Sequence, residues 1–219
     1  MMDWSWEAAF DSIPLLLKGL LVTVEITLLA SAVAYALGLV FALIRRTGIP
    51  VLSQAVRLFI EFVRSTPLLI QVFAIYYLVP PLTGFTMSAF VTGVVALGVH
   101  YATYAAEVYR AGIEAVPKGQ WEAATALNLP RQRVWTAVVL PQAVPRVLPA
   151  LGNYTISMFK ETPLLLGIGV LDVLNRAKEV GAETFRVIEP YTLAGVLFLL
   201  VSLPASILVR RLERRAAHS

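Results

Sequence analysis

Apolar residues fall into five long runs along the chain, separated by polar breaks that carry proline, glycine or arginine. Their lengths predict membrane-crossing helices. The first run, residues 19–44, is long enough at about 1.5 Å per residue to cross a hydrocarbon core of about 30 Å. It stops at Arg45-Arg46, and the turn Thr47-Gly48-Ile49-Pro50 leads to a second helix over residues 53–79, closed by Pro80-Pro81. The third run, residues 88–113, follows an uncharged loop and ends near Arg110. The fourth extends from about Val147 to about Phe159, and the fifth, residues 191–209, ends in RRLERR. Pro141, Pro145, Pro149 and Pro163 interrupt the backbone ladder around the fourth run. This predicts a kinked helix held against protein or a water-filled cavity, where freed backbone groups find partners. Between residues 164 and 190, apolar and charged positions alternate at helical spacing, which predicts a short helix on the external face ended by Gly181.

An odd number of crossings puts the termini on opposite sides. Arg45, Arg46, Arg57, Arg110, Lys118, Arg131, Arg133, Arg146 and the arginines of 210–215 fall on one side; Lys18, Arg176, Lys178 and Arg186 fall on the other. The more basic side is expected to be cytoplasmic, leaving the N-terminus external and the C-terminus cytoplasmic. The N-terminal MMDWSWEAAFDS is acidic and Trp-rich, and the run behind it is too long for the apolar core of a cleavable signal.

The polar stretch at about 115–145 stands apart from these runs. Pro117 suits the start of a helix, Lys118 to Leu127 can wind into a short alanine-rich piece, and Asn128 tolerates the left-handed turn that ends it before Pro130. The result is a helix-turn-helix elbow on the cytoplasmic side. Ala123, Ala124 and Ala126 would let another protein approach closely, with Trp121 and Leu127 as apolar anchors.

Composition narrows the function. Hydrophobic residues make up 58% and charged residues 15% of the 219, which places the chain among all-α polytopic membrane proteins. It contains no cysteine, and His100 and His218 stand alone, so no metal centre is expected. The net charge of +4 follows the ends of apolar runs, which is a topological pattern rather than a nucleic-acid footprint. No GxxxxGK[ST] phosphate loop, GxSxG elbow or HExxH pair occurs, so neither ATP hydrolysis nor other enzymatic chemistry is expected of this chain.

Three groups of charged or polar residues lie inside apolar sequence. Glu61, Arg64, Leu68 and Gln71 recur at i, i+3, i+7 and i+10, which places them on one face of the second helix, with a kink at Thr66-Pro67 beside it. Glu61 and Arg64 would be either a structural intramembrane pair or transport residues. His100, Tyr104, Glu107 and Ala111 share a face of the third helix. His100 would be a pathway or a packing residue, and Glu107 has Arg110 as a possible partner; Gly93, Ala96 and Ala102 would allow close helix contact. Lys160-Glu161-Thr162-Pro163 lies between Phe159 and LLLGIGVL, which suggests a pathway border rather than a solvated helix end.

Glu122-Ala123-Ala124, followed by Asn128, Val138, Leu140 and Pro141, resembles the EAA loop of the permease subunits of ATP-binding-cassette importers. Residues 107–124 and 59–73 are similar to the branch that imports polar amino acids and related solutes. Asn128 stands where the family has glycine, and Val138 where it usually has isoleucine. The resemblance implies a type I importer transmembrane domain of five helices, one domain over residues 1–219, in a bacterial inner membrane. It implies a partner permease, identical or similar, two cytoplasmic ATPase subunits that hold ATP and Mg, and an external solute-binding protein. It assigns Lys118, Gly119, Trp121, Glu122, Ala123, Ala124, Asn128, Leu140 and Pro141 to ATPase coupling. Lys160, Glu161 and Thr162 occupy the place of a Lys-Asp-Thr turn that borders the translocation pathway in similar importers, with Glu161 replacing aspartate and Pro163 a small residue; His100 and Tyr104 join them as pathway candidates. An ion-coupled secondary transporter is the alternative, and it would predict internal repeats and unwound helices. A membrane scaffold would leave the embedded charges unexplained.

Overall fold

The computed structural model describes residues 4–216, and every regular element among them is helical. His218 lies outside the described residues. Helix α1 (Trp6–Ile44) begins well before its apolar run, capped by Ser5, whose Oγ accepts a hydrogen bond from the Ala8 N–H at 3.3 Å.

The second run is not one straight helix. It forms α2 (Pro50–Arg64) and α3 (Leu68–Thr83), which meet at 105°. Pro67 disfavours helical geometry in the residue before it and has no N–H to continue the ladder. The Gln71 side chain fills the joint, its Nε2 donating to Val63 O at 2.6 Å, Thr66 O at 3.0 Å and Thr66 Oγ1 at 2.7 Å. Carbonyls released by the break are thereby satisfied. Thr66-Pro67 is thus a sharp corner, and α2 and α3 do not share a single helical face.

Helix α4 (Ala89–Glu114) packs closely along α1. Small residues permit this approach: a Cβ at Gly38 would lie 2.7 Å from the Ala105 Cβ and 2.8 Å from Ala102 O, and one at Gly98 would lie 2.7 Å from Val33. The main core joins α1, α3 and α4 with the later helix α6 (Arg131–Ile168) through Ile26, Ala34, Val72, Leu97, Met158 and Leu165. Between α4 and α6 stands the short helix α5 (Lys118–Ala126).

The fourth crossing is longer than its apolar run: α6 is one helix of 38 residues that passes through its prolines. Pro141, Pro145 and Pro149 recur at four-residue spacing, so the N–H groups they lack are missing along one face of the helix. A π-helical segment over Val134–Val139 widens the helix just ahead of Pro141, and its last turns tighten to a 3₁₀ form over Thr162–Ile168.

Helix α7 (Val173–Thr184) is capped by Asp172, whose Oδ1 accepts from the Asn175 N–H at 2.9 Å. Gly181 does not end it. This glycine is buried within the helix against Val187, and the reversal is made by Phe185 at φ 56°. Helix α8 (Ile188–Ala216) completes the bundle. Helices α1, α4, α6 and α8 are each long and apolar enough to cross a membrane, and the bent pair α2–α3 forms the fifth, broken crossing.

Candidate functional site

The elbow grows out of the basic end of the bundle. Helix α4 ends at Glu114, and Arg146 Nη1 of α6 donates to the carbonyl of the following residue, Ala115. Val116 then plugs into an apolar cluster with Ile113, Val139 and Ala143, so α5 starts from a fixed base. At its other end, the N–H of Asn128 donates to Thr125 O at 2.9 Å and that of Leu129 to Ala124 O at 3.1 Å. With Asn128 at φ 51°, this is the paired C-terminal cap that favours glycine and tolerates asparagine.

Side chains on the elbow divide by direction. Ala124 is only 2% exposed, and Trp121 packs edge-on against Trp135 of α6 with ring centroids 5.7 Å apart. Both residues hold the elbow to its own chain, and the buried Ala124 is not presented to another protein, contrary to the close approach expected of it. Lys118, Gly119, Glu122, Ala123, Ala126 and Asn128 face outward, as do Leu140 and Pro141 within the third turn of α6. Leu127 is 71% exposed and is the apolar anchor actually presented. Among the described residues Glu122 forms no ion pair.

A second constellation lies inside the bundle. Tyr101 and Tyr104 of α4 and Tyr154 of α6 form a triangle, with ring centroids 5.7–5.8 Å apart. Arg64, at the end of α2, lays its guanidinium over Tyr104 at 4.7 Å, a cation–π contact. Across the triangle Tyr101 interacts with Glu161, whose Oε2 is buried without a hydrogen-bond partner. His100 flanks both Tyr101 and Tyr104, and its Nδ1 stands 3.0 Å from Gln71 Oε1. One base at Tyr104 and one acid at Tyr101 therefore border the same tyrosine cluster.

This geometry reassigns several expected partners. Glu61 does not pair with Arg64; it pairs with Arg57 one turn earlier at 3.0 Å, both side chains 57% exposed. The corner after Arg64 turns that arginine toward Tyr104 instead. Lys160 is exposed and makes no ion pair with Glu161, because adjacent residues on a helix diverge by about 100°. Thr162 is fully buried, its hydroxyl donating to Phe159 O at 3.0 Å. Glu107 joins two arginines, Arg110 at 2.8 Å and Arg45 at the end of α1, while Arg110 also reaches Glu114 at 2.6 Å. Tyr101, Tyr154 and Gln71 were not assigned to the site from the sequence. Gln71 was marked only by its place on the Glu61–Arg64 face, and Tyr101 only by its spacing from Tyr104 in an otherwise small-residue helix.

Residues 34–218 match the family described as the inner membrane component of binding-protein-dependent transport systems. The chain is 44% identical over 202 residues to the probable amino-acid ABC transporter permease protein y4tG of Sinorhizobium fredii, covering 92% of this chain and 87% of that one. It is 33% identical to the arginine transport system permease protein ArtQ of Bacillus subtilis and 34% identical to the glutamine transport system permease protein GlnP of Escherichia coli, each over 98% of both chains. A crystal structure of an amino acid ABC transporter with histidines superposes with a TM-score of 0.91 at 35% identity, over 98% of this chain and all of that one. Nothing among these relatives supports the ion-coupled alternative. With its elbow, its five-part helical bundle and these relatives, the chain belongs to the family of membrane-spanning permease components of binding-protein-dependent ABC importers.

Proposed function

We propose that this permease carries a polar amino acid, or a solute with the same zwitterionic chemistry, between Arg64 and Glu161. The observation that carries the reading is the tyrosine triangle holding a guanidinium at one edge and a carboxylate at the other. A zwitterion brings a carboxylate and an ammonium, so one base and one acid compensate it without leaving net charge in the pathway. Tyrosine rings and hydroxyls offer cation–π and hydrogen-bonding surfaces to the ammonium and to polar side chains. An apolar solute gains nothing there, and desolvating the two ions for it carries a cost. Relatives named for arginine and glutamine transport support this substrate class.

The permease works with ATPase subunits, as importers of this family do, and MgATP is hydrolysed there. In our reading the basic end is cytoplasmic, the N-terminus external, and the outward face of α5 lies in a groove of the ATPase. Closure of two ATPases would carry two elbows, one from this chain and one from an identical or similar permease, and rock the bundles to expose the pathway to an external binding protein. The test is reconstitution of Arg64→Gln and Glu161→Gln forms with ATPase and binding protein. Uptake should fall about tenfold or more while basal ATP hydrolysis persists, from loss of a charge-assisted contact of ~1.5–3 kcal/mol. Unchanged uptake in both forms would refute the pathway assignment.

A further inference from the structure

Two consecutive arginines leave α1 in opposite directions. Arg45 turns inward to Glu107, whereas Arg46 lies over the Trp135 ring at 5.6 Å. Beside Arg46, between the end of α1 and the elbow, opens a cavity of about 640 Å³ whose walls include Leu43, Arg46, Trp121, Arg131 and Trp135. Arg46 and Arg131 line it together with Thr47, Thr125 and Asn128, and no acidic residue does. Neither Arg46 nor Arg131 makes an ion pair among the described residues. The cavity therefore concentrates positive charge beside two indole rings.

Its position says which anion fits. Leu39, Leu43 and Arg46 are spaced four and three apart, so they share one face of α1, and Leu39 and Leu43 are 42% and 48% exposed. That face runs from apolar helix surface directly into the basic cavity. Guanidinium groups bind phosphate oxygens in a bidentate fork, and tryptophan favours the boundary between acyl chains and headgroups. Basic pockets between helices at this level are suited to anionic headgroups. We propose that the cavity holds the headgroup of an anionic phospholipid, with the phosphate on Arg46 and Arg131, the Trp121–Trp135 pair at the glycerol level, and acyl chains along Leu39 and Leu43. Such a lipid braces the elbow against the end of α1.

The full-length chain in mild detergent tests this by native mass spectrometry with phosphatidylglycerol and phosphatidylcholine. The unaltered protein should retain phosphatidylglycerol preferentially, and Arg46→Gln/Arg131→Gln should lose about fivefold of that preference per arginine. Equal retention of the two lipids by the unaltered protein overturns the proposal, as does a preference that survives in the double variant. If the variant loses co-purifying ATPase with its lipid preference intact, the arginines meet an acidic protein surface instead. Displacement of phosphatidylglycerol by millimolar inorganic phosphate would make the cavity a small-anion site and likewise overturn the proposal. A second measurement does not depend on folding of the variant: in a Trp4→Phe/Trp6→Phe chain, brominated phosphatidylglycerol should quench the remaining tryptophans more strongly than brominated phosphatidylcholine. Equal quenching defeats the assignment.

Discussion

His100 Nδ1 and Gln71 Oε1 stand 3.0 Å apart, across the corner at which the second crossing breaks. Since Gln71 Nε2 is committed to oxygens of Val63 and Thr66, its carbonyl oxygen faces the ring, and Nδ1 must carry the proton it donates. His100 thus acts on the corner through Gln71. The same corner delivers Arg64 to Tyr104.

Replacing Gln71 with leucine should strand the Thr66 carbonyl and the His100 N–H together, while Val63 O keeps the Thr66 hydroxyl at 3.2 Å. The expected loss of stability is about 2–4 kcal/mol, at 1–3 kcal/mol for each unsatisfied buried group partly relieved by relaxation. Thermal unfolding of the purified chain measures it. A melting temperature equal to that of the unaltered protein would mean that the joint is held by packing alone.

Asn128 should tolerate glycine with little change, because both residues enter the left-handed region that its φ of 51° requires. Valine there should cost about 1–2 kcal/mol and fray the end of α5. Coupled and uncoupled ATP hydrolysis in the reconstituted importer separates the two substitutions. Equal coupling in the glycine and valine forms would contradict the strained cap.

These cases also mark how far sequence alone reaches. The cap at Asn128 was legible because proline spacing and a left-handed turn are local requirements, satisfied within a few residues. Glu61 and Arg64 were misassigned as a pair because face arithmetic presumes a straight helix, whereas the 105° corner sends Arg64 elsewhere and leaves Glu61 to Arg57. Gly181 looked like a helix stop, yet it serves close packing against Val187, a tertiary demand with no local mark. The prolines of α6 looked disruptive one by one. Their common face is visible only from the four-residue spacing combined with the widened turn before Pro141.

Asp172 predicts a pH dependence. It is fully buried, and burial pushes its carboxyl up to about 6 from 3.8, despite the backbone N–H groups that favour the ionised form. The raised value means that the fold prefers the protonated acid. Below about pH 4 both folded and unfolded forms are protonated and nothing is lost; between about pH 4 and 6 the unfolded carboxyl ionises first, so stability falls, and above about 6 the loss is complete at ~3 kcal/mol. Asp172→Asn keeps the cap on α7 and should flatten this part of the stability profile. Chemical denaturation at a series of pH values would reveal an unchanged slope if the carboxyl is not responsible.

Adjacent alanines on the elbow separate internal bracing from partner docking. Ala124 is 2% exposed beneath the elbow, whereas Ala123 faces outward. A leucine at 124 has no room, and overpacking there should cost about 1–3 kcal/mol, lifting α5 from the Trp121–Trp135 contact. The isolated permease should then melt at lower temperature and show altered tryptophan emission even with no ATPase present. A leucine at 123 meets no part of its own chain, so the isolated permease should melt normally. Its effect should emerge only in the assembled importer, as weaker retention of the ATPase or lower uptake per ATP hydrolysed. The two variants therefore make opposite patterns in the same pair of measurements. If Ala123→Leu leaves assembly and uptake intact while Ala124→Leu abolishes both, the outward face of α5 is not the surface that meets the ATPase, and Leu127, exposed on the next turn, becomes the residue to alter.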